Sequence, residues 1–275
     1  MPELPEVETV RKTLKLLVLH KEIANITVYW PKIIKNPVEV EQFIDALKGE
    51  TIIDVGRRGK FLIIYTEQFA LVSHLRMEGK YGLYPKEEPF DKHTHVIFHF
   101  TDGTELRYRD VRKFGTMHLY KKGEEFIQPP LLELGPEPFS EEFTKEYLAE
   151  KLKKTNRRIK TALLDQKLFV GLGNIYVDEA LFRSGIHPER IASSLNPDEI
   201  SVLHEQIVAT LSEAVKKGGS TIRSYVNSQG QIGMFQLDLY AYGRKGEACK
   251  KCGTPLEKTT VGGRGTHYCP NCQRI

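Results

Sequence analysis

The sequence predicts an α+β, multidomain protein: a β-rich first half with one flanking helix, a helical middle, and a small metal-binding hairpin at the end. Three observations predict it. Short runs rich in β-branched and aromatic residues crowd the stretch from Ile23 to Tyr120, with turn signals such as Thr101-Asp102-Gly103-Thr104 between them. Helical periodicity replaces them after Leu134-Gly-Pro-Glu-Pro138, which reads as a linker. The four cysteines all lie beyond residue 248, as two Cys-x-x-Cys pairs. At 275 residues the chain is long enough to bury a core without further staples.

The elements follow in order. Val7, Val10, Leu14 and Leu17 recur at intervals of three and four, which predicts an amphipathic helix over residues 4–19. Pro5 sits in its first turn, where proline is tolerated. Strands are expected at Ile26–Trp30, Thr51–Val55, Phe61–Tyr65, Ala70–Leu75, His95–Phe100, Leu106–Tyr108 and Met117–Tyr120. Such closely spaced strands favour an antiparallel sandwich or barrel. Helices are expected from Phe139 to Leu152, from Arg157 to Gln166, and from the Gly171-Leu-Gly173-Asn174 turn to about Phe182. Asn196-Pro197-Asp198-Glu199 is a strong helix start, and that helix should end at Gly218-Gly219. The stretch Ser220–Leu237 lacks periodicity and reads as a long loop, a length that usually serves function.

Composition excludes several classes. Hydrophobic residues make up 40% and charged residues 28%, values of a folded globular chain rather than a disordered one. No apolar run approaches the roughly 18 residues needed to cross a bilayer. The start MPELPEVETV lacks the basic-then-apolar form of a secretory signal, so the cytoplasm is the expected compartment. Net charge is only +4, but seven Lys or Arg against two Glu lie between Arg244 and Ile275. A second run, Lys151 to Lys160, holds six cations and no acid. Clustered positive charge suggests a polyanion-binding face; a solvated helix surface is the alternative.

Cys249, Cys252, Cys269 and Cys272 form two knuckles separated by sixteen residues. That spacing fits one tetrahedral zinc ion held by four thiolates, a structural site with no open position. Two disulfides are the alternative, but each would close only a two-residue loop and clamp little. Between the knuckles, residues 258–268 read as a hairpin with Arg264 near its tip.

The N-terminus carries the sharpest chemistry. Residue 2 is Pro, and Met before a small residue is normally trimmed, which leaves a secondary amine. An α-amino group titrates at roughly pH 7.7–8.0, so part of it is nucleophilic at neutral pH. An amine attacking a sugar carbon gives a Schiff base. Glu3 and Glu6 stand beside it as candidate acid and proton carrier.

The motifs together are more specific. MPELPEVETVRKTL, Gly59-Lys60-Phe61, Ser73-His74-Leu75-Arg76-Met77, Asp110-Val111-Arg112-Lys113-Phe114-Gly115, Gly171-Leu-Gly173-Asn174-Ile175-Tyr176 and the cysteine pairs occur in one chain. The set closely resembles the bacterial formamidopyrimidine-DNA glycosylase family from Pro2 to the last cysteine. The related endonuclease VIII group shares a Pro-Glu start but differs at Met77, Arg112 and Phe114. The resemblance implies an N-terminal β-sandwich domain (1–134), a helix–two-turn–helix domain with a lesion-capping loop (135–240) and a zinc-finger hairpin (241–275), with DNA between the halves. It implies a base-excision repair enzyme that removes oxidised purines from double-stranded DNA and then cleaves the strand by β,δ-elimination; a monomer is expected because the sequence shows no heptad or assembly strip.

By the same resemblance Pro2 is the nucleophile, Glu3 the general acid and Glu6 its support. Lys60 serves β-elimination and phosphate contact, and Arg264 serves δ-elimination. Met77, Arg112 and Phe114 fill the gap left by the extruded nucleotide. Asn174, opening a helix after a glycine turn, is expected to hold a phosphate with its backbone N–H groups and its amide. His74, His93 and Tyr242 are candidate backbone contacts, and Lys154 and Lys160 add attraction. Ser220, Thr221 and Tyr225 are candidates in the capping loop. A non-catalytic, zinc-dependent nucleic-acid-binding protein is the competing reading; only an enzyme forms an amine–sugar adduct at residue 2.

Overall fold

Helix α1 (Leu4–Val18) buries three of the four residues that the sequence spacing marked, Val7, Val10 and Leu14, at most 2% exposed; Leu17 is only partly buried, and Val18, 0% exposed, completes the apolar stripe. It precedes β1 (Ile23–Val28), β2 (Ile34–Asn36), helix α2 (Val40–Leu47), β3 (Ile52–Arg58), β4 (Phe61–Thr66), β5 (Phe69–His74), β6 (Lys80–Pro85), β7 (Thr94–Phe100), β8 (Thr104–Arg109) and β9 (Thr116–Lys121). The strands form a five-stranded sheet in the order β2-β9-β5-β4-β3 and a four-stranded sheet in the order β1-β7-β8-β6. Side chains from both sheets and from α1 share one apolar core, including Val10, Leu14, Val55, Leu62, Leu71, Val96, Phe98 and Leu106, which makes the pair a sandwich.

All seven expected strands are present, with ends shifted by at most three residues. Three elements were not expected. β6 carries Gly82 and ends on Pro85, which blunt its strand signal. β2 is three residues long and pairs parallel to β9, the one parallel pairing among the described strands. In α2, apolar residues at 40, 43, 44 and 47 carry a helical spacing that the surrounding β-rich texture obscures, and Phe43 and Leu47 are buried.

The computed structural model describes residues 1–220 and 238–275, and these divide into two compact units. The sandwich unit holds residues 1–2, 6–133 and Ser220. The second holds residues 3–5, 134–219 and 238–275, so the hairpin and the helices share one unit. Its elements are α3 (Lys145–Lys153), α4 (Ile159–Leu163), α5 (Asn174–Ser184), α6 (Pro197–Lys216), β10 (Glu257–Val261) and β11 (Arg264–Tyr268). α3 starts later than expected because Thr144 is its cap, its side chain accepting from Tyr147 N–H. α6 matches its start signal in full: Asn196 and Glu199 form a reciprocal capping box, with Pro197 as the first helical residue. The helix stops where Gly218 and Gly219 take φ of +74° and +80°. α5 is apolar and buried from Tyr176 to Phe182 except for two acids, Asp178 and Glu179. Phe182 packs with Ala241, Cys249, Leu256 and Cys269, so the cysteine-bearing segment sits on α5. Among the described residues, no helix is long and apolar enough to cross a membrane.

Candidate active site

Pro2 is buried, and Glu3 beside it is only 2% exposed. The Glu3 carboxylate is tied to the start of α5. Its Oε2 accepts from Gly173 N–H (2.7 Å) and Tyr176 N–H (3.3 Å), and its Oε1 from Ile175 N–H (2.8 Å). These donors are the N–H groups that a helix leaves unpaired at its start, where a negative charge is favoured. Glycine makes the approach possible. A Cβ on Gly173 would stand 2.4 Å from Glu3 Cδ, and one on Gly171 would stand 2.5 Å from Leu4 Cδ1. Leu4 N–H also donates to Gly171 O at 3.1 Å. The glycine turn is therefore a socket for Glu3 and Leu4. Glu6, 4% exposed, accepts from Ser220 N–H at 2.7 Å. Thr221 and Tyr225 lie outside the described residues.

The anchoring of Glu3 corrects one expectation. The N–H groups at the start of α5 were expected to hold a phosphate, but three of them are occupied by Glu3. Gly173 is the cap and Asn174 the first helical residue. The Asn174 amide donates to Gly265 O at 2.9 Å, so Asn174 ties α5 to β11.

Lys60 follows Gly59 in the two-residue turn between β3 and β4, where Gly59 takes φ of +56°, and it is 5% exposed. Arg57 supports that turn, donating to Gly59 O (2.8 Å) and to Glu8 Oε2 (3.0 Å). Glu8 also accepts from Arg11 Nη2 at 2.7 Å. Burial pushes the Glu8 carboxyl up, but Arg11 and Arg57 outweigh it and hold it below the usual carboxylate range. Glu8 thus links α1 to the Lys60 turn, a role the sequence did not reveal.

His74 ends β5, 6% exposed, and its Nδ1 accepts from Arg76 N–H at 2.9 Å. Burial, then the charges of Arg76 and Lys60, lower its pKa to about 3. The ring is therefore neutral at physiological pH, with its proton on Nε2. Acid costs stability as a consequence. Below pH ~6.5 the unfolded chain protonates this histidine and the folded chain does not, so stability falls as pH drops. The slope from His74 is about 1.4 kcal/mol per pH unit down to about pH 3. Urea unfolding between pH 5.5 and 4.5 should show a slope shallower by about that amount in His74→Gln; an unchanged slope would refute the assignment.

The remaining residues fall into two sets. Met77, partly buried, follows Arg76, which takes φ of +53°. Arg112 and Phe114 are exposed between β8 and β9, the guanidinium 4.8 Å from the ring centroid. His93, partly exposed, lies at the base of the same loop, its carbonyl accepting from Asp110 N–H at 2.9 Å. In the second unit Arg264 is exposed as the first residue of β11, after a Gly262-Gly263 turn with φ of +57° and +73°. Lys154 is exposed and pairs with Glu150. Tyr242 stacks edge-on against His267 at 5.1 Å.

Lys160 requires a second correction. It was expected to attract DNA, but it is 0% exposed. Its ammonium donates to Asp178 Oδ1 (2.7 Å) and Gly265 O (3.2 Å). Asp178 Oδ2 accepts from His267 N–H at 2.9 Å. Lys160 and Asp178 are an internal strut between α4, α5 and β11, the strand that Arg264 begins. Glu179, also fully buried, accepts from the N–H groups of Tyr240, Ala241 and Tyr242, each at 2.8 Å. Burial pushes its carboxyl up against those hydrogen bonds. Neither acid stands out as functional in the sequence; their one signal is a pair of charges inside the apolar stretch of α5.

The cysteines settle between their two readings. Cys249 and Cys272 Sγ atoms are 3.9 Å apart, Cys252 and Cys269 Sγ atoms 3.5 Å, and all four lie within 4.8 Å of one another. A disulfide requires about 2.05 Å. Four sulfurs at Zn–S distances of about 2.3 Å around a tetrahedral ion sit roughly 3.8 Å apart. The cluster is a site for one zinc ion, which four thiolates fill and hold as structure rather than chemistry.

A sandwich, a helical unit and a zinc hairpin are the parts that the resemblance to a DNA glycosylase family implied. Family models match along the chain: the formamidopyrimidine-DNA glycosylase N-terminal domain over residues 1–117, the formamidopyrimidine-DNA glycosylase H2TH domain over 134–226, and a zinc finger found in FPG and IleRS over 246–275. The chain belongs to the formamidopyrimidine-DNA glycosylase family. Relatives of that name from Bacillus licheniformis and Bacillus subtilis are 66% and 63% identical, covering 100% and 99% of both chains respectively. Among solved structures, Lactococcus lactis Fpg in complex with abasic-site DNA matches with a TM-score of 0.93 at 44% identity, covering 100% of both chains. The same protein with N7-benzyl-Fapy-dG DNA matches at 0.92 and 44%, again covering 100% of both chains.

Proposed function

We propose that this chain excises oxidised purines, 8-oxoguanine and formamidopyrimidines, from duplex DNA and then cuts the strand at the resulting site. The observation that carries the reading is the fixed Glu3 carboxylate directly after Pro2. Full-length similarity to relatives named formamidopyrimidine-DNA glycosylase, and to Fpg structures bound to abasic-site and N7-benzyl-Fapy-dG DNA, supports it.

Removal of Met1 frees the Pro2 nitrogen. The amine attacks C1′, the C1′–base bond breaks, and the base leaves with a proton relayed by Glu3, supported by Glu6; the C1′–O4′ bond then opens as O4′ takes a proton, which gives the iminium. Loss of a C2′ proton from the resulting iminium expels the 3′-phosphate, with Lys60 stabilising the leaving oxygens. A second elimination expels the 5′-phosphate, stabilised by Arg264, and leaves a one-nucleotide gap between phosphates. Met77, Arg112 and Phe114 occupy the vacated stack. His74, His93, Lys154 and Tyr242 add contacts to the sugar–phosphate backbone. The working parts are the catalytic domain, residues 1–134, the helix–two-turn–helix domain with its capping loop, 135–240, and the zinc hairpin, 241–275. The enzyme acts as a monomer in the cytoplasm, on the chromosome.

Borohydride trapping on a duplex with 8-oxoguanine opposite cytosine, followed by peptide mapping, tests the reading. An adduct on the peptide starting at Pro2 is expected, and an abasic duplex should trap as well. No adduct on either duplex, in zinc-loaded protein lacking Met1, would leave only the binding-protein reading. Arg264→Ala should accumulate the β-elimination product at the expense of the gapped one, read on a denaturing gel. An unchanged product ratio would remove Arg264 from that step.

A further inference from the structure

Arg112 and Phe114 sit on an exposed loop, yet its backbone is held tightly. Asp110 is 1% exposed at the base of the loop. Its Oδ1 accepts from Arg112 N–H (3.0 Å), and its Oδ2 accepts from Phe114 and Gly115 N–H (2.9 Å each). The Asp110 backbone is fixed as well, because His95 Nε2 meets Asp110 O at 2.7 Å. Between the held residues Lys113 adopts φ of +57°, a conformation costly for a residue with a Cβ. Its ammonium lies 4.1 Å from the centroid of Trp30, which clamps the loop from outside.

A second contact joins this loop to the one that carries Met77. Tyr108 is 0% exposed. A Cβ built on Gly115 would lie 1.7 Å from its hydroxyl, and one on Gly79 would lie 2.2 Å from it. Both loops therefore close over one hydroxyl, and only glycine fits at either place. Phe114 and Val111 stay 51% and 45% exposed, apolar surface displayed before any partner arrives.

We propose that Asp110 is the positioning residue of the wedge, holding Arg112 and Phe114 in their inserting shape in the free protein, in register with Met77 over Tyr108. This rests on the reading that these three side chains replace an extruded nucleotide. A wedge shaped in advance spends less binding free energy on ordering when it enters the stack. Asp110 therefore acts on extrusion of a base and not on the elimination chemistry, which a duplex with a preformed abasic site isolates.

Asp110→Asn keeps the size but sets an amide donor against backbone N–H groups. It should slow excision of 8-oxoguanine by about tenfold or more, the worth of a charge-assisted hydrogen bond. Cleavage of an abasic duplex should change by less than about threefold. A 2-aminopurine beside the lesion, which brightens on unstacking, should lose its fast phase. Trp30, the single tryptophan, should shift its emission as Lys113 leaves it. Equal losses on both duplexes, or no loss on either, would overturn the proposal. Lys113→Met, at an exposed position, decides the matter if Asp110→Asn does not fold: it should show the same selectivity at smaller size, and an equal effect on the two duplexes would overturn the proposal. Wild-type protein inert on both duplexes would instead refute the glycosylase reading itself.

Discussion

Pro2→Gly is expected to lose base excision by on the order of 10²-fold or more while still binding a lesion-containing duplex. Glycine is as small as the trimming of Met1 requires, so the variant also presents a free α-amine. What changes is the amine. A secondary amine condensing with C1′ leaves nitrogen with no proton to lose, so the product is a permanent iminium cation and a strong electron sink. The primary amine of glycine gives an imine that must gain a proton before it draws electrons equally well. Proline also fixes its own ring beside the anchored Glu3, whereas glycine adds freedom at the reacting atom. Binding rests on phosphate contacts elsewhere and should survive at the same salt concentration. Excision rate, trapped adduct and duplex affinity, measured together, check this. Wild-type excision by the variant would remove Pro2 from its role, and joint loss of affinity and excision would show that the substitution disturbed the fold instead.

Chemistry written in neighbouring residues was legible, and chemistry assembled from distant ones was not. The cysteine pairs identify zinc because two sulfurs within one knuckle must converge on one ion. The α6 start is legible because Asn196, Pro197 and Glu199 act within one turn. Pro2 and Glu3 stand out in the sequence as candidate reagents, but the partners of Glu3 lie about 170 residues away at Gly173 and Ile175. The glycines of that turn read as a phosphate loop because a glycine turn before a helix binds any anion, and here the anion is the chain's own carboxylate. Lys160 was misjudged for a related reason. It closes a run of six cations, and charge patterning says nothing about which cation turns inward. Its neighbours Ile159, Ala162 and Leu163 are all buried, a local hint that the basic run masked. Glu8, Asp110 and Glu179 share one property: each is a buried or half-buried acid held by donors that no sequence motif marks, backbone N–H groups for Asp110 and Glu179 and the guanidinium groups of Arg11 and Arg57 for Glu8. Sequence shows such an acid but not its donors.

Lys160→Met separates the inward and outward readings of that residue. If Lys160 touched phosphate, its loss would leave stability near wild type, weaken duplex binding across all sequences, and reduce the salt slope by about one. The geometry predicts a different outcome. Methionine fills much of the volume but leaves Asp178 buried with the His267 N–H (2.9 Å) and the His267 ring (3.5 Å) as its remaining partners. Breaking a buried pair in this way costs about 3–5 kcal/mol, because one charge is stranded. Asp178→Leu in addition should recover part of that loss, since a pair replaced by apolar groups costs less than half a pair; a double-mutant cycle in urea measures the coupling. Gly265 O loses its 3.2 Å ammonium contact in either variant but keeps the Asn174 amide at 2.9 Å. β11 should therefore loosen rather than detach, and Arg264 at its start should lose placement. The product mixture should shift toward β-elimination at temperatures where the variant is folded. A fully stable Lys160→Met with a reduced salt slope would return Lys160 to the surface and remove the strut.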